Sequence, residues 1–269
     1  MFASQLHSCR SLLYVPASNV RAIAKARMLD ADLIILDCED SVKPHEKVAA
    51  RETAVDTARM AIIGKLIGIR INAIGTSWHE DDLAAVAGSR ADCVVLPKVE
   101  SGEAAASIAS SCGKPLLAMI ETPAGVLRAH GIAQAAAALL VGTNDLAASL
   151  GISSSSGRSG LAYSLQAIVL GGRAAGVAVF DGVYNRLEDA AGFKAECEEG
   201  RAYGFDGKSL IHPSQVDVAN RIFSPGPAEV AEAKRLIAAA RGGAERFEGR
   251  MIEAMHVAEA EALLAKARR

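Results

Sequence analysis

The stretch LIILDCEDSVKPHEK, residues 33–47, runs through four apolar residues and then stops abruptly in Asp37, Glu39 and Asp40. An apolar run this short, followed by a helical pattern, reads as a buried strand handing over to a helix. Three neighbouring carboxylates repel one another unless positive charge sits among them, so the end of this strand calls for a cation from elsewhere in the chain. The same grammar recurs in SLLYV, LIGIRIN, CVVLPKV, PLLAMIE, ALLVGTN, VAVFDGV and FDGKSLIH, which makes eight strands. Between them lie segments with helical patterning: NVRAIAKARML, KVAARETAVDTARMA, DDLAAVAG, GEAAASIASSC and LEDAAGFKAECEEGRAYG. Strand and helix alternate, so the sheet is parallel, and eight such units predict an α/β fold of the (β/α)8 TIM-barrel type.

Most of these strands end in polar or ionisable residues: Asp37 and Glu39, Arg70 and Asn72, Lys98 and Glu100, Glu121, Asn144 and Asp145, Asp181, and Lys208 with His212. A polar residue at one strand end is ordinary loop onset. The repetition across a barrel predicts an active site on one rim. The chain divides at about residue 223 into a barrel, 1–223, and a C-terminal helical extension, 224–269. GISSSSGRSG, 151–160, reads as a polar, solvated loop after the sixth strand.

With 269 residues the chain can bury one large core, and its net charge of −2 with scattered Lys and Arg provides no basic stripe for nucleic acid. The longest apolar run, AAAALLV at 135–141, is far too short to span a bilayer, so no membrane partner is expected. The five cysteines form neither a C-x-x-C pair nor a disulfide framework, in keeping with a cytoplasmic protein.

Glu121 and Asp145 end consecutive strands and face a shared rim, a suitable placement for two hard oxygen ligands to Mg2+ or Mn2+. In that reading Glu39, Asp40 and Lys98 surround the ion at one remove, and Asp37 and Glu39 are candidate proton-transfer groups. The bland alternative is that some of these carboxylates cap helices or pair with Lys and Arg around the barrel. Zinc is disfavoured, since the six histidines form no ligand-spaced cluster. Lys98 and Lys208 are better read as ion-paired than as Schiff-base lysines, because neighbouring carboxylates keep an ammonium protonated.

RSLLYVPASNVRAIAKA, LIILDCEDSV, GIRINAIGTSW, VVLPKVES, MIETPAGV, GTNDLAASLG, DGVY and GFDGKSLIHPSQVDVAN together resemble the HpcH/HpaI aldolase and citrate lyase β-subunit superfamily, in order, from about residue 10 to 258. The nearest branch in this resemblance is the citrate lyase β-like one, which includes malyl-CoA lyases. The resemblance implies a TIM barrel, a Mg2+ site held directly by Glu121 and Asp145, and assembly as a homotrimer or hexamer. It implies that Arg70 holds a substrate carboxylate or carbonyl oxygen, and that Arg21 and Lys25 meet the phosphates of CoA. It also places the C-terminal extension against a neighbouring subunit, with Glu253 as an acid/base group where relatives carry Asp. Two departures stand out: Ala124 replaces an arginine common in relatives, and Glu253 is one methylene longer than the Asp.

The function so implied is a metal-dependent carbon–carbon lyase that splits a 3-hydroxy-acyl-CoA, such as malyl-CoA or citramalyl-CoA, into an acyl-CoA and a 2-oxo acid. Two alternatives remain: a pyruvate-releasing aldolase on free hydroxy-oxo acids, and a non-catalytic acyl-CoA-binding homologue. Asp40, where free-acid aldolases of the superfamily typically carry His, favours the CoA-ester branch.

Overall fold

The computed structural model describes residues 2–60, 64–153 and 156–267. Eight parallel strands close into a barrel in chain order: β1 Ser11–Pro16, β2 Leu33–Asp37, β3 Leu66–Arg70, β4 Cys93–Leu96, β5 Leu116–Ile120, β6 Ala138–Val141, β7 Ala178–Asp181 and β8 Gly207–Leu210. β1 pairs with both β2 and β8, which leaves no open edge. The predicted eight-stranded TIM barrel is the observed fold. Of the loop read at 151–160, Ser154 and Ser155 lie outside the described residues.

Side chains alternate across each strand, and this alternation builds two separate cores. Leu12, Leu33, Ile35, Val95, Leu117, Met119, Leu140 and Phe180 point into the lumen and fill it, joined from below by Leu6 and Cys9. Leu13, Val15, Ile34, Leu36, Ile67, Ile69, Val94, Leu139 and Val179 point outward against the helices. All five cysteines are buried and free. Among the described residues no helix is long and apolar enough to cross a membrane.

Past residue 223 the chain forms the helix Pro227–Ala239, an antiparallel hairpin (β9 Glu245–Phe247, β10 Arg250–Ile252) and the helix Ala254–Lys266. The hairpin was not anticipated by a purely helical reading of this segment. It is short, and its turn is set by Glu248 and Gly249, both at positive φ. Ala233, Leu236, Phe247, Ile252 and Ala260 give the segment a small core of its own.

Candidate metal and substrate site

Strand parity decides which strand-end residues meet. Asp37 and Arg70 share the inward parity of Ile35 and Leu33, and Glu121 follows Met119 by two residues, so all three point to the lumen's upper mouth. There they line a cavity of about 350 Å³ together with Tyr14, Asp40 and Asp145. Asp181 follows the inward Phe180 by one residue and therefore points outward. Its carboxylate is buried between barrel and helices, bonded to Lys208 Nζ at 2.8 Å and to Arg158 at 2.5 and 2.9 Å. The expectation that Asp181 and Lys208 belong to the rim is thus corrected, whereas the ion-paired reading of Lys208 holds.

The cation demanded by the acidic cluster is Arg70. Its Nε and Nη2 donate to the two oxygens of Asp37 at 2.6 and 2.7 Å, and its Nη1 lies 2.8 Å from Glu39 Oε2 and 3.5 Å from Asp40 Oδ2. The guanidinium also stacks 4.9 Å from the Tyr14 ring centroid. Burial pushes the Asp37 carboxyl up, but the charge and hydrogen bonds of Arg70, with a 2.5 Å bond from Ser41 Oγ, hold it below its ordinary value. Glu39 has the opposite fate. Burial, with Asp40 and Glu121 nearby, outweighs Arg70 and raises its carboxyl to about 8. Its Oε2 is buried, with the Arg70 ion pair as its contact.

Beneath this loop lies a buried cation that the sequence reading missed. Lys47 donates to the carbonyls of Cys38 and Glu39 and to Asn72 Oδ1, at 3.1, 2.9 and 2.6 Å, and lies 5.1 Å from the Trp78 ring centroid. Its inward placement was legible only as the helical period following Pro44, which puts Lys47 on one face with Ala50, Ala54 and Ala58. Tyr14 and Met119 were also missed. Both lie at inward positions of their strands, two residues before the rim.

Glu121 is locked in place by backbone. Its Oε1 accepts the amide N–H of Lys98 at 2.8 Å, an approach set by the left-handed φ of 53° at that lysine. Its other oxygen lies over Gly142, where a Cβ would stand 2.2 Å from Oε2, so the glycine of GTNDL makes room for this carboxylate. Asp145 sits in the first turn of the helix Thr143–Ser149, with Lys98 Nζ 3.6 Å from its Oδ1. Burial and the Asp145 charge raise the Glu121 carboxyl to about 7.

A buried Glu121 carboxylate whose charge is penalised by burial and by the Asp145 charge, with a cradle shaped around it and the oxygen donors of Asp145 nearby, fits a hard divalent cation such as Mg2+. Among the described residues no group of three or more His, Cys, Asp or Glu side chains is placed to hold a metal. The fit is therefore to an ion that keeps positions open for water or substrate.

The remaining predicted site residues lie apart. Arg21 and Lys25 are exposed on the helix Val20–Ala26 beyond β1 and do not line the cavity. Glu253 starts the last helix, exposed, with its amide N–H donating to His256 Nδ1 at 3.0 Å, and it too is outside the cavity of its own chain. Ala124 is half-buried and does not reach the cavity.

The family model for HpcH/HpaI aldolase/citrate lyase matches residues 10–213, and the chain belongs to that family. It is 43% identical to a (3S)-malyl-CoA thioesterase of Cereibacter sphaeroides, over 98% of this chain and 96% of that protein. It is 32% identical to the citrate lyase subunit beta of Escherichia coli, over 96% and 93% of the two chains. Among solved structures, CitE of Mycobacterium tuberculosis in complex with magnesium, acetoacetate and coenzyme A superposes with a TM-score of 0.82 at 34% identity, over 98% of this chain and 100% of that one.

Proposed function

We propose that this chain is a Mg2+-dependent enzyme acting on a short 3-hydroxy-acyl-CoA with a second carboxylate, of the malyl-CoA kind, and that it breaks the carbon–carbon bond between the hydroxyl-bearing carbon and the acyl α-carbon. The observation that carries the reading is the Glu121–Asp145 pair at the mouth of a cavity walled by Arg70. A magnesium ion held by Glu121 and Asp145 would supply Lewis-acid polarisation of substrate oxygens. Lys98, 3.6 Å from Asp145, adds positive charge on the same side of the cavity. Arg70, kept rigid by Asp37, presents a fixed guanidinium to the hydroxyl oxygen, stabilising the alkoxide formed when that hydroxyl gives its proton to a rim carboxylate; as the carbon–carbon bond breaks the charge passes to the acyl-CoA enolate and the oxygen becomes the carbonyl of the 2-oxo acid. The acyl-CoA enolate needs a proton. Glu39, whose carboxyl burial pushes up to about 8, is the candidate donor within the chain; Glu253 of a neighbouring subunit is the alternative. Arg21 and Lys25, exposed beside the end of β1, are positioned to meet CoA phosphates outside the cavity. We further propose a cytoplasmic homotrimer or hexamer in which the segment after residue 223 covers a neighbour's rim.

A second reading is favoured by the 43% identity to a (3S)-malyl-CoA thioesterase: water attacks the thioester carbonyl and the intact hydroxy acid leaves. Incubation with (3S)-malyl-CoA, with and without Mg2+, separates the two. Acetyl-CoA and glyoxylate in equal amounts, dependent on Mg2+, are expected. Free CoA and malate with no glyoxylate replace cleavage by hydrolysis. No product from this ester, from citramalyl-CoA or from related CoA esters overturns the substrate class.

A further inference from the structure

A second cavity, of about 570 Å³, lies at the opposite end of the barrel, where the helix Ala254–Lys266 folds back beneath the strand N-termini. Its size suits a small molecule. One wall is apolar, with Phe205, Phe223 and Leu263; the other carries His7, Arg173 and Lys266. All three gather at one residue, Asp206. Arg173 Nη1 lies 2.9 Å and His7 Nδ1 3.9 Å from Asp206, while Lys266 Nζ donates to the Asp206 backbone carbonyl at 2.7 Å. Arg201, also in the wall, is already engaged by Glu229 at 2.6 Å.

Among the described residues no carboxylate lies within 4 Å of the Lys266 ammonium. A lysine at the last position of a helix is ordinarily free to swing into water. Here it is half-buried and turned inward, with its ammonium on a backbone carbonyl. Burial lowers its pKa, the mark of a charge lacking compensation, and Asp206 offsets this only in part. The Asp206 carboxylate beside it, and the Gly176 carbonyl 3.2 Å from its Nε2, keep the His7 imidazole inclined to hold its proton. Three cations against one carboxylate leave an excess of two positive charges beside an aromatic floor.

We propose that this cavity binds a small organic phosphate monoester, its dianion set against Lys266, His7 and Arg173 and its apolar body on Phe205 and Phe223. The site is distinct from the metal cavity, which opens at the other rim, and its occupant would clamp the C-terminal segment to the barrel.

Phenyl phosphate is the probe, titrated calorimetrically into the full chain near pH 6.5 in EDTA, with melting followed in parallel. Saturable binding and a rise in melting temperature are expected in the wild type and equally in Asp145→Asn, which leaves this end untouched. Lys266→Met should weaken binding by about tenfold or more, the effect of losing one charge-assisted contact, and Lys266→Arg should restore it. Should Lys266→Met fail to fold, Arg173→Gln reads the same loss. Inorganic phosphate should bind at least roughly tenfold more weakly, because it leaves the aromatic wall unused. No saturable binding at millimolar probe, an affinity unchanged in folded Lys266→Met, or binding lost in Asp145→Asn would each overturn the proposal. Inorganic phosphate equal to phenyl phosphate would overturn the organic-ligand assignment.

Discussion

Gly142→Ala tests the cradle around Glu121 most directly. At φ −96° and ψ 82° the backbone of Gly142 is open to alanine, so the cost is purely steric. The new Cβ would stand 2.2 Å from Glu121 Oε2 and 2.5 Å from Glu121 Cβ, against a comfortable carbon contact of about 3.5 Å. Glu121 must therefore retreat by roughly 1 Å, yet its other oxygen is fixed by the Lys98 amide at 2.8 Å. Overpacking of this kind costs about 1–3 kcal/mol, or a fall in melting temperature of roughly 2–10 °C for a domain of this size. The displaced carboxylate should also abolish most of the rise in melting temperature given by millimolar Mg2+. Gly131→Ala is the matched control, since a Cβ there meets nothing within 4 Å, and it should melt at or slightly above the wild-type temperature. Thermal scans of the three proteins with and without Mg2+ decide the matter. If Gly142→Ala behaves like Gly131→Ala in both stability and Mg2+ response, the glycine is not there for Glu121 and the metal assignment loses its structural support.

Arg70→Met strands a buried Asp37 carboxylate and should cost about 3–5 kcal/mol. Because Arg70 holds the Asp37 pKa below its free value, the contribution of that carboxylate is present above about pH 3.9 and is lost as pH falls through the folded value; acid unfolding should begin at higher pH in Arg70→Met, and an unchanged acid limb refutes the pairing. His7 titrates the other way: the nearby Asp206 carboxylate raises its pKa, so its contribution is full below about pH 6.5 and is lost as pH rises through the folded value, and His7→Gln should remove that slope from urea-melt stabilities between neutral and mildly alkaline pH. Co-refolding Glu253→Ala with Asp145→Ala in equal amounts should return activity at about a quarter of sites if a neighbour's tail completes each barrel, whereas a mixture as inactive as its components means that sites are not shared.

The eight strands were legible because most are short apolar runs between helical stretches, and strict strand–helix alternation calls for a parallel sheet. The rim was legible only in part. Treating every polar strand end as rim-facing ignored parity: counting from Phe180, a large apolar residue that belongs in the lumen, already sends Asp181 outward, and the same count sends Lys208 outward while keeping Asp37, Arg70 and Glu121 inside. Lys47 was hidden for a different reason. The helical period puts Lys47 on the face of Ala50, Ala54 and Ala58, but its three acceptors come from a loop and a strand end whose folding the sequence does not spell out. The partner of Asp37, in contrast, was narrowed to very few cations, since an acidic cluster at a strand end must find its positive charge on a neighbouring strand, and β3 supplies Arg70 directly across the ladder.

That pairing also bears on which ion would suit the rim. Asp37 and Arg70 are joined by two short hydrogen bonds and buried together. Arg70 also lies 2.8 Å from Glu39 and 3.5 Å from Asp40, and Lys98 lies 3.6 Å from Asp145, so among the described residues Glu121 is the rim carboxylate with no cation of its own at ion-pair distance. Burial, with the Asp145 charge beside it, raises its carboxyl to about 7. A bound cation would favour the charged form of Glu121 and offset that burial. Carboxylate oxygens are hard donors, so the chemistry of the rim suits a hard cation such as Mg2+ rather than a soft one, before any question of which substrate it meets.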